Sequence, residues 1–175
     1  DSNGGTVSNC VITACTSRNN QSQVGGVYLK GGLLTHSIVE NCYQNNWERM
    51  GGGQRKAGGA LVVGWGKVSN TLFRKMPTGG YGHVVWVASS VAEMENCTVV
   101  DSILSSENKG ANLCYGVYIE SGTVRNCAMF GISRIAVGST PATDYAAWGG
   151  KADNFIACGT DGDATINDTC FLSTK

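Results

Sequence analysis

The chain carries few charges, and this shortage limits its partners. Only 15% of its 175 residues are charged, the formal net charge is zero, and no run of lysine or arginine occurs. Because no basic stripe is available to attract phosphates, the sequence predicts no nucleic-acid partner. No stretch approaches the about 18 uninterrupted apolar residues of a membrane-spanning helix, so the sequence also predicts no membrane span.

Proline is scarce as well, and no segment shows apolar residues at the spacing of an amphipathic helix. The chain has two prolines but 25 glycines, about twice the usual glycine share of about 7%. Many glycines without helical periodicity are typical of short strands joined by turns. The composition therefore favours an all-β chain.

A short motif recurs six times. It contains glycine or alanine, then an apolar residue, an asparagine, a small residue and a second apolar residue, with variable positions between them. The spacing of the copies varies from 26 to 42 residues while the motif keeps its length, which favours coils of short strands joined by extensible loops over a helical repeat. The copies begin at Gly5, Gly32, Gly66, Ala92, Gly122 and Ala164.

The alternation within the motif predicts two inward-facing apolar columns, because successive residues of a strand point to opposite faces. A column of small residues lies between them. The first apolar column holds Val7, Leu34, Val68, Met94, Val124 and Ile166, and the second holds Ile12, Val39, Phe73, Val99, Met129 and Phe171. The small residues are Cys10, Ser37, Thr71, Cys97, Cys127 and Thr169.

The asparagine position predicts a bend between the two strands of each copy. Stacked asparagine side chains can hydrogen-bond to one another and to the turn backbone, so we expect a polar ladder at this bend. The column reads Asn9, His36, Asn70, Asn96, Asn126 and Asp168.

A second strand precedes most copies, at 26–30, 60–63, 84–87 and 116–120. The chain therefore resembles the right-handed parallel β-helix, and specifically the β-helix repeat segments of large bacterial secreted or surface, adhesin-like proteins. Those segments carry tandem copies close to Gly-Gly-x-Val-x-Asn-Cys-x-Ile, each preceded by Gly-Gly-Val-Tyr. We expect a solenoid of about six coils with two longer loop insertions, at 41–57 and 136–154. The resemblance also implies an extracellular or cell-surface location.

The length is that of a single domain covering residues 1–175. One coil alone buries too little apolar surface to offset the entropy of ordering it, so only the stack is stable. The sequence starts inside the repeat pattern with Asp1, and we expect a piece of a longer protein. Adjacent coils or domains of that protein are then its first partners.

The eight cysteines favour stacked thiols over a disulfide framework. Cys97 and Cys127 are equivalent positions on adjacent coils, and so are Cys15 and Cys42. Neighbouring rungs lie about 5 Å apart, which permits a disulfide, but buried cysteine also behaves as a small apolar residue. A bond within each pair stays open as the alternative. Cys114 and Cys158 lie outside the columns and can pair with each other.

The sequence predicts no catalytic residues. Glu93 and Glu95 share one face of a strand, as two catalytic carboxylates of a glycoside hydrolase would, but solvated charges on the exterior are the favoured interpretation. His36 occupies the bend column and is interpreted as a turn residue. The sequence alone does not indicate a catalytic role for His83. No nucleophile, base and orienting group come together.

A metal site is not predicted either. No Cys-x-x-Cys occurs, and the two histidines are far apart in sequence. The segment Asp161-Gly-Asp163, followed by Asp168, offers oxygens to calcium, but the full calcium-loop pattern is absent. An ordinary Asp-Gly turn is favoured, and we expect no cofactor.

Aromatic residues provide the candidate ligand-binding positions. Tyr28, Trp86 and Tyr118 occupy outward positions of the second strand and are expected to form a stripe along the rod, with Leu61 or Val62 between Tyr28 and Trp86. Flat rings in a row suit stacking against sugars. The alternative is that the long loops cover this stripe. Binding residues also concentrate in loops, where we select Trp47, Arg49 and Trp148.

These observations lead to three hypotheses. The first is a non-catalytic extracellular β-helix domain that serves carbohydrate binding or adhesion, with a polysaccharide or glycan as its ligand. The second is a fragment of a polysaccharide lyase or glycoside hydrolase. The third is a structural stalk or filament protomer.

Overall fold

The computed structural model is an all-β structure in which parallel strands stack into a solenoid, the predicted fold class. It describes residues 4–17, 24–44, 57–77, 83–106, 116–136, 142–143, 147–148, 151–153, 156–157 and 165–167. Side-chain positions are described up to residue 102 and again for 116–132. Every regular element in these ranges is a strand, so none is a helix long and apolar enough to cross a membrane.

The strands in chain order are β1 (Thr6–Ser8), β2 (Val11–Thr13), β3 (Thr16–Ser17), β4 (Val27–Leu29), β5 (Leu33–Thr35), β6 (Ile38–Glu40), β7 (Tyr43–Gln44), β8 (Ala57–Val62), β9 (Lys67–Ser69), β10 (Leu72–Arg74), β11 (His83–Glu95), β12 (Thr98–Ser106), β13 (Val117–Arg125), β14 (Ala128–Ala136), β15 (Ala142–Thr143), β16 (Ala147–Trp148), β17 (Lys151–Asp153), β18 (Ile156–Ala157) and β19 (Thr165–Asn167).

The described strands form three sheets. The first sheet follows the path β1-β5-β9-β11-β13-β17-β19, with β4, β8 and β16 joined at its side. The second sheet follows β15-β14-β12-β10-β6-β2 with β18, and the third pairs β3 with β7. One passage of the chain through these sheets is called a coil below. Consecutive coils pair in parallel along both paths, and β15 is the exception because it pairs antiparallel with β14.

The register confirms both predicted apolar columns wherever they are described. Val7 pairs with Leu34, and the ladder continues through Val68, Met94 and Val124. Ile12 starts the second ladder, which continues through Val39, Phe73, Val99 and Met129. Leu34, Phe73 and Met129 are completely buried, so the two columns meet as one core between the sheets. Phe171 lies outside the described residues.

The predicted count of about six coils and the insertion at 136–154 need correction. The first sheet contains a strand, β17, that pairs with β13 on one side and β19 on the other, so the described path has seven strands. Its Ala152 lies between Val124 and Ile166 in the apolar ladder. The pattern from Gly150 to Ala157 is a seventh copy of the motif, hidden because alanine replaces a large apolar residue at both core positions.

The insertion at 41–57 also begins later than predicted. Tyr43 belongs to β7, which pairs in parallel with β3 in the third sheet. At the other end, Ala57 already lies in β8. Residues 45–56 lie outside the described part of the chain.

The bend column owes its asparagines to backbone conformation. Asn70, Asn96 and Asn126 have φ values of 47°, 52° and 50°, in the left-handed region that side-chain-bearing residues other than asparagine and aspartate seldom adopt. His36 adopts the same conformation, which confirms its interpretation as a turn residue. A second column of left-handed residues forms the next corner, at Ala14, Asn41, Lys75, Asp101 and Gly131.

The expected side-chain ladder is not what holds this bend. The asparagine side chains of the column are exposed, and no hydrogen bond joins one to the next within the described coils. The backbone makes the contact instead: the N–H of Asn70 donates to the carbonyl of Glu95 at 3.1 Å, and that of Asn96 to Arg125 at 3.1 Å. The prediction of a ladder was wrong because the left-handed turn directs these side chains into solvent.

The small residue after each bend completes the turn. Its hydroxyl or thiol donates to the carbonyl two residues earlier, as Ser37 does to Thr35 at 2.7 Å and Thr71 to Ser69 at 2.8 Å. Cys97 makes the same contact with Glu95 at 3.1 Å. A small side chain with a hydrogen to donate therefore suits this position, which explains why cysteine, serine and threonine replace one another there.

We predict that Asn70→Ala lowers the free energy of unfolding by about 1 kcal/mol, because alanine has no preference for the left-handed conformation. Asn70→Gly is the matched control. It removes the same side chain but accepts this backbone readily, so its loss is expected to be much smaller. Urea denaturation of the three proteins measures both values, and equal losses for the two variants would show that the asparagine side chain itself stabilises the turn.

Candidate functional site

The aromatic positions of the second strand lie in one register column. Tyr28 pairs with Leu61, Leu61 with Trp86, and Trp86 with Tyr118. Trp148 extends the column in register with Tyr118. The predicted alignment is therefore confirmed, and Leu61, one of the two alternatives, occupies the position between Tyr28 and Trp86. The side chain of Trp148 lies outside the described side chains.

Most of this column is covered. Trp86 is 8% exposed and Tyr118 is 2% exposed, and both pack with Ala57 and Leu61 into a second apolar cluster, separate from the main core. The Trp86 and Tyr118 ring centroids are 6.2 Å apart with the planes tilted by 56°. One of the two predicted alternatives was that the stripe is covered. The burial of Trp86 and Tyr118 fits this alternative, so neither ring has a face open to a sugar.

Polar contacts hold the covered rings in place. His83 stacks on Tyr118 with ring centroids 4.6 Å apart and 19° between the planes. The indole N–H of Trp86 donates to a carboxylate oxygen of Glu120 at 3.0 Å. His83 is buried, and it acts here as a packing partner of an aromatic ring. The arrangement stabilises the outer cluster.

Tyr28 differs from the other rings of the column because it is 49% exposed. It lies on β4 between Val27 and Leu29, which turn toward the core side of the sheet. Lys30 follows on the same outer face and is also exposed. Of the candidate residues whose side chains are described, Tyr28 is the one that remains available to a ligand.

A second exposed ring, Trp65, was not among the predicted site residues. It belongs to the turn between β8 and β9 and is 56% exposed. A Cβ added at Gly31 would lie 2.7 Å from Cε2 of its indole, and one added at Gly4 would lie 2.6 Å from Cη2. The ring therefore lies directly across the glycine backbones of two preceding coils.

The sequence contained a signal for this position. Gly5, Gly32 and Gly66 are equivalent in the repeat, so Gly4, Gly31 and Trp65 precede them in one column. Two residues without side chains below a tryptophan leave room for a ring to lie along the stack. We call the surface formed by Tyr28, Lys30, Trp65 and these two glycines the aromatic corner.

The residues of the aromatic corner are close along the backbone. Two residues lie between Tyr28 and Gly31, the glycine that Trp65 covers, so the Cα atoms of Tyr28 and Gly31 are at most about 10 Å apart. Phe130, on the second sheet, is the other aromatic side chain exposed in the described part of the chain. An exposed pair of rings beside an ammonium group can stack against a flat apolar face and donate hydrogen bonds to its rim.

The remaining predicted ligand residues lie outside the described part of the chain. Trp47 and Arg49 fall in the part of the chain that the structure does not describe, as do Asp161, Asp163 and Asp168 of the calcium motif. Within the described residues, no group of three or more histidine, cysteine or acidic side chains is placed to hold a metal ion.

The outward carboxylates Glu93 and Glu95 form a cluster with two cations from the neighbouring coils. Lys67 places its Nζ 2.6 Å from Glu95 and 3.3 Å from Glu93. Arg125, on the opposite side, places Nη2 2.8 Å from Glu95 and 3.2 Å from Glu93. The four residues span β9, β11 and β13, so the cluster ties three successive coils together.

This environment gives both carboxylates a structural role. The hydrogen bond from Lys67 lowers the pKa of Glu95 below its usual range. Burial opposes this effect, and the hydrogen bond from Arg125 adds to the lowering. The hydrogen bond between Lys67 and Glu95 also raises the pKa of Lys67. A glycosidase acid requires the opposite, a carboxyl whose pKa is raised so that it carries a proton. Glu40 is likewise paired, with Arg74 Nε at 2.7 Å.

The cluster predicts a loss of stability in acid. Because the pKa of Glu95 is lowered on folding, its contribution is complete above its ordinary value of 4.5 and is lost as the pH falls below it. We expect Glu95→Gln to lower the melting temperature at pH 7 and to lower it less at pH 3, where Glu95 of the unfolded wild-type chain is protonated and part of its stabilising contribution is lost.

Thermal melts at both pH values measure this difference, and a repeat in 1 M salt serves as the control because salt screens partly exposed charges. An equal loss at pH 7 and pH 3 would contradict the electrostatic account.

Comparison with protein-family models, with characterised proteins and with solved structures finds no match for this chain. The strand register alone identifies the fold as a parallel β-solenoid.

Proposed function

We propose that the chain is a non-catalytic β-solenoid module that binds carbohydrate through the aromatic corner. The observation that carries the proposal is the placement of Trp65. A ring of this size is normally at least partly covered, yet this one presents more than half of its surface to solvent while its lower face rests on Gly31 and Gly4.

A fixed ring is a good platform for a weakly binding ligand. The strands that flank the turn are bonded on both sides to neighbouring coils, so little side-chain entropy remains to be lost when a ligand binds. Tyrosine and tryptophan provide large contact areas, and their polar atoms add direction. Lys30 supplies three further donors for hydroxyl or carboxylate oxygens.

The charges on the described outer surface favour binding over catalysis. Glu93, Glu95 and Glu40 are each engaged by a lysine or an arginine. A hydrolase or lyase needs an acid or base whose pKa lies near neutrality. The pKa of Glu95 is instead lowered, away from neutrality. The proposal therefore assigns recognition to the aromatic corner and stability to the ion-paired carboxylates.

The location and biological setting follow from the resemblance of the repeat. We propose that the module belongs to an exported bacterial protein and acts at the cell surface or outside the cell, in adhesion to glycans. Further coils or domains of that protein are its neighbours.

We predict that Trp65→Ala and Tyr28→Ala each weaken glycan binding about fivefold, which corresponds to about 1 kcal/mol for one lost ring contact. A glycan array of neutral and acidic polysaccharides identifies the ligand, and titration calorimetry then gives the dissociation constants. Phe130→Ala is the matched control, because it removes an exposed aromatic ring from the second sheet. An array on which the wild-type protein binds no glycan would refute the proposal, as would equal losses for all three variants.

A second prediction tests the glycine platform. Gly31 has no left-handed backbone angle, so Gly31→Ala adds a methyl group without backbone strain and pushes the ring of Trp65 outward. We expect weaker glycan binding than wild type but a smaller loss than for Trp65→Ala, together with a shift of the tryptophan emission. Unchanged binding and emission would show that the ring is not held by this contact.

A further inference from the structure

Cys15 and Cys42 occupy equivalent positions on the first two coils. The residues on either side are paired in register, Thr13 with Glu40 and Thr16 with Tyr43. The N–H of Tyr43 donates to the carbonyl of Cys15 at 3.0 Å. Their Cα atoms are therefore about one strand spacing apart, roughly 4.8 Å, which lies within the range that a disulfide spans.

The two thiols are free and make the same contact on adjacent coils. Each donates to the carbonyl two residues earlier, Cys15 to Thr13 at 3.6 Å and Cys42 to Glu40 at 3.2 Å, so both sulfurs lie at the same corner of the stack. The thiol of Cys42 also lies 3.7 Å from the carbonyl of Ile12 on the first coil. The sulfur of Cys42 therefore already contacts the first coil, the coil to which a disulfide would join it.

The members of the pair differ in access. Cys15 follows β2, the last strand of the second-sheet path, and is partly exposed, whereas Cys42 is completely buried. Burial raises the pKa of Cys42 to about 11. An incoming reagent therefore meets Cys15 first, and Cys42 is placed behind it to attack second.

We propose that Cys15 and Cys42 are a disulfide-forming site that staples the first coil to the second when a low-molecular-weight disulfide such as glutathione disulfide is present. The thiolate of Cys15 attacks the reagent, forming a mixed disulfide and releasing one molecule of reduced thiol. Cys42 then gives up its proton and attacks Cys15 Sγ, releasing the second molecule as its thiol. The protein loses two protons and two electrons, which reduce the reagent to two thiols.

Other cysteines of the chain serve as internal controls for the Cys15–Cys42 pair. Cys10 lies on the same first coil and is more exposed, but the small-residue position below it is Ser37, whose hydroxyl is 3.2 Å from the Cys10 N–H. It can accept a mixed disulfide but has no thiol to resolve it. Cys97 and Cys127 occupy equivalent positions on two inner coils, as Cys15 and Cys42 do on the first two, but both are 2% exposed.

The experiment is incubation of the folded protein with glutathione disulfide, followed by alkylation of the remaining thiols and peptide mapping by mass spectrometry. We expect a Cys15–Cys42 bond, a persistent glutathione adduct on Cys10, and free Cys97 and Cys127. Unfolding in urea before oxidation should abolish the preference for this pair.

Cys42→Ser isolates the second step. Serine fits this corner, since Ser102 occupies the equivalent position and bonds the carbonyl of Val100 at 3.0 Å, as Cys42 bonds Glu40 at 3.2 Å. In this variant the adduct on Cys15 should persist. The inference is overturned if wild-type Cys15 keeps its adduct as Cys10 does, if Cys15 does not react, or if the inner pair oxidises at the same rate.

Discussion

The structure depends on the in-register stacking of one coil on the next. Each coil donates its strand hydrogen bonds to its neighbours, and each corner must therefore turn at the same place in every coil. The left-handed residues Asn70, Asn96 and Asn126 meet that requirement, because a bend displaced by one residue would turn the apolar columns outward. The small residue that follows closes the turn through its own hydroxyl or thiol.

Stacking also decides what the outer surface can do. Side chains that point away from the core are repeated every coil, so they meet their equivalents from the neighbouring coils. Opposite charges then pair, as Lys67, Glu95 and Arg125 do, and adjacent rings pack, as Trp86 and Tyr118 do. A ligand can therefore reach the surface only where neighbouring coils do not supply a covering side chain. Gly31 and Gly4 leave Trp65 exposed in this way, and Cys15 is partly exposed because it lies on the first coil.

The repeat allowed much of the fold to be predicted, since the apolar columns from Val7 to Val124 are visible as a pattern of residue types. The seventh copy escaped because Ala152 and Ala157 carry too little hydrophobic signal. The asparagine ladder was wrong because residue identity does not reveal φ, and the same amide side chain suits a hydrogen-bonded stack or a left-handed turn.

The amino-acid sequence by itself determined the parallel solenoid, its register and the alignment of Tyr28, Trp86 and Tyr118, because these follow from periodic burial and turn chemistry along the chain. The tertiary structure alone decided which of those rings are covered, that Trp65 lies across Gly31 and Gly4, and that Cys42 is buried while Cys15 is partly exposed. Exposure and contact depend on which side chains the other coils place nearby, and the order of residues along the chain does not give the distances between coils.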